Sequence, residues 1–352
     1  MSTSYGKIIV CMNTPTSSPE IKTPRLIPTL VAGFNTVASH VELILLPLVV
    51  DLALWLGPKI KIDQLEKPYI DFLTKYLQST ATAETQQQIS DTVTMIKETV
   101  GQINLATAIR TIPVGVPSLL ARELTVESPL KNTIMYQAPT SGFALLAILA
   151  FILVGFFLGT LYFNSLARYT VTPILPQNNK KILVQYGQNL VTALILLAII
   201  MVILLPGSAI LAVATLINAS VGQILLMSAM ILLLWLSVPL IFAPHGIFVL
   251  DQKAYPSMLL SVRMVRYFLP GAGMFVMTCA LISEGLNLLW SLPDPNSWLT
   301  LVGIFGHSFI VTALLAASFI YYRGGLKWMQ ESIQNISDPN IRAKLGGPFG
   351  SK

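Results

Sequence analysis

Residues Gly142 to Phe163, GFALLAILAFILVGFFLGTLYF, carry no charge at any position. At 1.5 Å per residue these roughly 22 residues make a helix just long enough to cover the ~30 Å hydrocarbon layer of a bilayer. A helix apolar on every face does not suit the surface of a soluble domain. The stretch therefore predicts a transmembrane helix, and the chain around it reads as a membrane protein. Composition agrees, with 54% hydrophobic and 11% charged residues and a mean hydropathy of +0.69. Soluble domains carry about 25% charged residues.

Five more apolar stretches follow the same logic. The first covers about Gly33 to Leu56 within segment 26–56; it holds His40, Glu42, Pro47 and Asp51 and stops at Gly57-Pro58. Beyond the Ser141–Ala167 span, a third is expected over Leu183–Leu205, ending at Pro206-Gly207, and a fourth over Val221–Ile241. Ala209–Ile217 is left between them as a short apolar link, either a lip or a re-entrant turn. The fifth runs from Tyr267 to Leu289 and the sixth from Trp298 to Tyr322, flanked by Trp290, Trp298, Tyr321 and Tyr322 as interface anchors. The expected fold class is all-α: a polytopic membrane protein of six transmembrane helices with an extracytoplasmic helical insertion between helices 1 and 2. Its parts are a cytoplasmic tail (1–25), the first helix (26–56), the insertion (57–140), the five-helix remainder (141–323) and a cytoplasmic amphipathic tail (324–352).

In the insertion eight Lys or Arg balance eight Asp or Glu. Two stretches have helical period, Leu65/Ile70/Leu73/Leu77 and Ile89/Val93/Ile96/Val100/Ile103, which predicts a helical hairpin lying on the membrane. TIPVGVPSLL, with two prolines, reads as loop. Basic residues set the orientation: Lys7, Lys22 and Arg25; Arg168, Lys180 and Lys181; Lys253, Arg263 and Arg266; Arg323, Lys327, Arg342 and Lys344. Segments 206–220 and 291–297 have no Lys or Arg, so both termini are expected on the cytoplasmic side. The first 25 residues are polar and lack an apolar run after a basic start. Insertion is thus expected to be directed by the first membrane helix rather than a cleaved signal.

Ionisable groups at membrane depth cost about 2.5–3.5 kcal/mol on insertion scales, which singles out His40, Glu42, Asp51, Glu284 and His307. On a straight helix His40 and Asp51 share a face to within about 20° but stand about 16 Å apart along the axis. Glu42 lies on the opposite side from Asp51. Either these groups form a proton or ion path, or they bond to neighbours and interfacial water near the ends of a tilted helix. Glu284 and His307 suit a contact between adjacent antiparallel helices, as a functional pair or as interhelical glue. Gly155 and Gly159 form a G-x-x-x-G that lets another helix backbone approach, as internal packing ahead of a homodimer seam.

The cytoplasmic turn Ala254–Phe268, AYPSMLLSVRMVRYF, makes a short basic helix with Leu259, Leu260, Val262 and Val265 against Arg263 and Arg266. It suits the anionic inner interface or a cytoplasmic partner, and Lys253 adds to its charge. Leu326, Met329, Ile333 and Ile336 give the tail a similar stripe, ended by Asp338-Pro339. Cys11 and Cys279 are too isolated to imply a disulfide or a metal site. The sequence contains no H-E-x-x-H, G-x-S-x-G or G-x-x-x-x-G-K-[ST], so no catalytic residue, cofactor or metal ligand is assigned.

From Pro239-Leu-Ile-Phe-Ala-Pro through Ser261-Val-Arg-Met-Val-Arg to Tyr321-Tyr322-Arg323, the C-terminal half resembles uncharacterised six-helix bacterial membrane proteins of the YciC type. It also resembles the membrane domain attached to some glycerophosphodiester phosphodiesterases. Segment 57–140 and a phosphodiesterase domain fall outside the resemblance, which brings no catalytic residues. AGFNTVASHVELILLPLVVDLALWLGP is similar to the opening of other bacterial multi-pass proteins. The resemblance implies a bacterial inner-membrane setting. The expected function is a non-enzymatic accessory or scaffold subunit contacting the lipid bilayer, anionic inner-face lipids and another membrane or cytoplasmic subunit, with no nucleic acid. The alternative is a small-solute or ion permease subunit using the intramembrane charges.

Overall fold

The computed structural model describes residues 23–80, 86–122, 128–130, 134–171 and 179–337. Two short helices open it, α1 (Leu26–Ser39) and α2 (Leu45–Leu56), joined by a tight 3-10 turn over Val41–Ile44. Strand β1 (Lys59–Lys61), the hairpin α3 (Asp63–Thr80) and α4 (Gln86–Gln102), 3-10 turns at Leu105–Ile109 and Leu120–Arg122, and β2 (Met135–Gln137) make up the insertion. The bundle continues with α5 (Ser141–Thr170), α6 (Asn179–Ile217), α7 (Ala219–Ile241), α8 (His245–Leu250), α9 (Ala254–Tyr267), α10 (Leu269–Trp290) and α11 (Thr300–Ser337). The fold is all-α. Five helices are long and apolar enough to cross a membrane, and the count reaches six if α1 and α2 are taken as one broken span.

Helix α11 is the axis of the bundle. Ile304, Ala313, Ala316, Ala317, Phe319 and Tyr322 along it have no exposed surface. Helix α1 lies antiparallel to it: Pro24 meets Gly324, Gly33 meets Ala313 and Ala317, and Phe34 meets Phe309 with ring centroids 6.1 Å apart. The backbones approach so closely at Gly33 that a side chain there would strike the Ala313 carbonyl. Small residues let dispersion contacts accumulate where hydrophobic exclusion gives little drive inside lipid.

The first span is not one helix. The chain turns by 95° between α1 and α2, and His40 at the corner has φ −135° and ψ 67°, outside the helical region. Pro47 falls in the first turn of α2, where its missing N–H is no loss. Trp55 then anchors the end of α2, its indole donating to the Pro295 carbonyl at 2.9 Å and its ring packing edge-on to Trp298.

The α3–α4 hairpin is present as expected, and β1 pairs in parallel with β2 to bring the two ends of the insertion together. Its final third does not stay at the surface, however. Val114, Val116, Leu119 and Leu120 are buried in the same core as α2, α5 and α11.

Two helix boundaries also differ from expectation. Pro206 does not end the third span; α6 runs through it to Ile217, so Ala209–Ile217 is helix rather than link. Proline is tolerated within membrane helices because freed backbone groups find other partners. Asn218 makes the turn, its side-chain oxygen accepting from the N–H groups of Ser220 and Val221 to cap α7. Pro239 also lies inside α7, which ends at Ile241 as expected, and a turn through Pro244 leads into α8. At the other end, α11 continues past Arg323 to Ser337. Leu326 and Met329 pack with Met264, Val265 and Trp328 instead of lying on a membrane surface. Tyr321 and Tyr322, expected as interface anchors, are buried mid-helix; Tyr321 stacks on Phe275 with centroids 4.2 Å apart. Trp290 is half-buried and packs over Gly306.

Between Lys181 and Asp251 the chain has no Asp, Glu, Lys or Arg. Those two bracketing residues pair with each other, Lys181 Nζ to Asp251 Oδ2 at 2.5 Å, and Gln185 Nε2 adds a hydrogen bond of 3.3 Å to the same carboxylate. They clasp the base of the α6–α7 arm, whose outer half is exposed along both helices. Both side chains of the ion pair are about one-third exposed, so screening limits its worth. A Lys181→Ala/Asp251→Ala double-mutant cycle is expected to give a coupling of about 0.5–1 kcal/mol in thermal denaturation at low salt, decreasing as salt is added.

Candidate functional site

Asp51 is fully buried on α2. Its carboxylate accepts three hydrogen bonds, from Ser118 Oγ at 2.5 Å and from the backbone N–H groups of Leu119 at 3.1 Å and Leu120 at 3.2 Å. Ser118 Oγ in turn accepts from Ala121 N–H at 3.0 Å. A carboxylate at the start of a helical turn satisfies donors that have no partner within the turn. Asp51 thus pins the inserted segment 111–121 to α2. Gly155 and Gly159 make room for the same segment: a Cβ at Gly155 would collide with the Ile109 carbonyl, and one at Gly159 would lie 2.7 Å from Gly115 Cα. The glycine seam therefore admits an irregular loop, where sequence spacing pointed to a helix.

The other candidates lie apart. His40, at the α1–α2 corner, sits 3.3 Å from Glu42 (Nδ1 to Oε1), with both side chains about half exposed. Its ring packs on Tyr169 at a centroid distance of 4.3 Å. The bend removes the shared helix face that put His40 in line with Asp51. His307 is buried on α11, with Nδ1 2.8 Å from Asn287 Oδ1 on α10. Glu284 lies one turn before Asn287 on the exposed side of α10. His40 and Glu42 thus share a half-exposed corner, Asp51 is closed off by its own three donors, and Glu284 and His307 stand on the adjoining helices α10 and α11.

Uncharged polar residues do the bridging that sequence reasoning assigned to charges. Tyr162 OH donates to Thr312 Oγ1 at 2.8 Å, linking α5 to α11, and Asn189 Nδ2 donates to Thr160 Oγ1 at 2.9 Å, linking α6 to α5. Among the described residues no cluster of three or more His, Cys, Asp or Glu could hold a metal ion.

Helix α9 is seated in the bundle. Ala254, Ser257, Met258, Ser261, Met264 and Val265 form its buried face, and Ser257 Oγ donates to the Ala243 carbonyl at 2.5 Å. The apolar side thus packs on protein rather than membrane, and Leu259, expected on the hidden face, is 40% exposed. Lys253, Arg263 and Arg266 all point outward with Tyr255 and Tyr267, a rigid ledge of cations and aromatic rings.

A cavity of about 730 Å³ lies between α5, α6, α7, α8, α10, α11 and the inserted segment. Its rim includes Ile112, Leu197 and Ile200, and its depth Phe163, Phe242 and Leu314. Among the described residues no Asp, Glu, Lys or Arg lines it. His245, first residue of α8, and Ser318 of α11 lie at the buried end, with Nε2 and Oγ 2.8 Å apart. His245 is not among the sequence candidates; the one signal for it is a lone histidine between two apolar runs.

No family model, curated protein or solved structure matches the chain.

Proposed function

We propose that the protein is a non-enzymatic, multi-pass accessory or scaffold subunit of a bacterial inner membrane, with both termini in the cytoplasm, of the YciC-like kind. The observation that carries this reading is the α9 ledge. One face is locked into the core, so Lys253, Arg263 and Arg266 are held outward at fixed spacing. Cations rigidly presented at the inner surface attract anionic headgroups by about 1 kcal/mol each and offer an adjoining subunit a preorganised contact. The α3–α4 hairpin is the corresponding surface on the outer side. The rival reading, a permease subunit with a charged path, needs His40, Asp51, Glu284 and His307 on one continuous passage, whereas the Asp51 carboxylate is closed off by Ser118 and the Leu119 and Leu120 amides and His40 sits at a half-exposed corner beside Glu42.

The paired change Arg263→Gln and Arg266→Gln tests this reading. It is expected to leave insertion and thermal stability intact. Recovery of anionic lipid and of co-purifying subunits from native membranes extracted into nanodiscs should fall by roughly tenfold or more. Unchanged recovery of both removes the ledge as a contact surface.

A further inference from the structure

We propose that the apolar cavity binds a neutral amphiphile, a single long alkyl or isoprenyl chain ending in a hydroxyl-bearing group, with that end seated on the His245–Ser318 pair. The inference is independent of the accessory-subunit reading. A volume of about 730 Å³ lies within the roughly 300–1,000 Å³ typical of small-molecule sites. The absence of charge from the lining excludes an ionised ligand, since a charge there would be desolvated without a partner. The rim sets the point of access: Ile112 is 78% exposed, Leu197 50% and Ile200 44%. These apolar side chains suit passage of a chain from the hydrocarbon layer.

The deep end selects the terminal group. Ser318 Oγ reaches the Leu315 carbonyl at 2.7 Å as well as His245 Nε2 at 2.8 Å. Its single proton serves only one of them. His245 is 1% exposed, and its Nδ1 is enclosed by protein beside the Phe242 and Ile241 backbone carbonyls. Rings of Phe319 and Phe242 wall it at centroid distances of 4.4 and 5.5 Å. In either tautomer of the imidazole at least one acceptor lone pair of Ser318 Oγ stays open in an apolar lining, where an unmade hydrogen bond is expensive. A ligand hydroxyl donates to that lone pair whichever tautomer the imidazole adopts. An alcohol and a protonated carboxylic acid share that chemistry; an ordinary phospholipid chain ends in a methyl group and does not.

The full chain in phosphatidylcholine nanodiscs is photolabelled with three diazirine probes of equal chain length: a long-chain alcohol, a fatty acid and a phosphatidylcholine. Labelled peptides are then mapped by mass spectrometry. Saturable labelling of α8 and of α11 around Ser318 is expected from the alcohol or the acid, with competition by the unlabelled compound; which of the two labels identifies the source. Ser318→Ala should weaken that labelling by roughly three- to tenfold. Ala193→Trp, which fills the cavity, should abolish it. Ile200→Trp at the exposed rim should also reduce it and serves if the buried substitution prevents folding. Phosphatidylcholine labelling of the deep end as strong as that of the alcohol, unaltered by Ser318→Ala, would overturn the proposal. So would unsaturable labelling confined to the rim.

Discussion

Asp51→Ala is expected to destabilise the folded chain by roughly 3–5 kcal/mol, because it strands Ser118 Oγ–H and the N–H groups of Leu119 and Leu120 in a site closed to water. The loss should be local first. Hydrogen exchange at residues 114–121 is expected to rise before exchange in α5 or α11, because the carboxylate holds that segment and not the helices. Asp51→Asn keeps one acceptor oxygen and should fall between the two. Ser118→Ala, which removes one of three bonds, should cost about 1 kcal/mol. If exchange in segment 114–121 is the same in Asp51→Ala as in the parent, the carboxylate is not what holds it.

Gly159→Val is the second large effect, about 3 kcal/mol, by overpacking rather than by loss of a bond. The branched side chain would occupy the space taken by Gly115 and the Val114 carbonyl carbon, so the inserted segment must move or α5 must bend. Gly155→Val should act in the same way through Ile109. Both variants are expected to lower the melting temperature and expose segment 109–121 to protease without altering oligomeric state. A change in oligomeric state at unchanged stability would instead place the glycine seam between copies of the chain.

These two positions also mark where the sequence can be read and where it stops. The G-x-x-x-G spacing correctly announced a close approach to α5, because only glycine leaves that space. The spacing could not say what approaches, and the visitor is a proline-containing loop from more than forty positions earlier in the chain. Asp51 was recognisable as a costly group needing a reason, but its partners are two backbone amides and a serine, which carry no periodic signal. His40 was placed by rotating a straight helix at 100° per residue, and a 95° corner makes that arithmetic void. Hydropathy gave the existence of the long apolar helices because uncharged runs are local properties. It gave their ends poorly at Pro206 and Tyr322, since stop rules learned from helices in water weaken where neighbouring helices and lipid surround the backbone. His245 is missed for the opposite reason: its importance comes from the cavity around it, and seven separate stretches of chain build that cavity.

The α6–α7 arm has one more consequence. At 39 residues α6 is about 58 Å long, nearly twice the ~30 Å hydrocarbon thickness, and between Lys181 and Asp251 neither α6 nor α7 carries a charge to fix its depth. Such a helix cannot stand upright in a bilayer without hydrophobic mismatch; it must lean steeply or thicken the lipid around it, at a fraction of a kcal/mol for each ångström left unmatched. Helix α11 is about as long, at 38 residues, but it is packed into the core and carries Arg323, Lys327 and Glu331 beyond its apolar part, whereas α10 is only about 33 Å. The arm, clasped only at its base, is therefore the part of the molecule most responsive to membrane thickness, and its lean relative to α10 should vary with the chain length of the surrounding lipid.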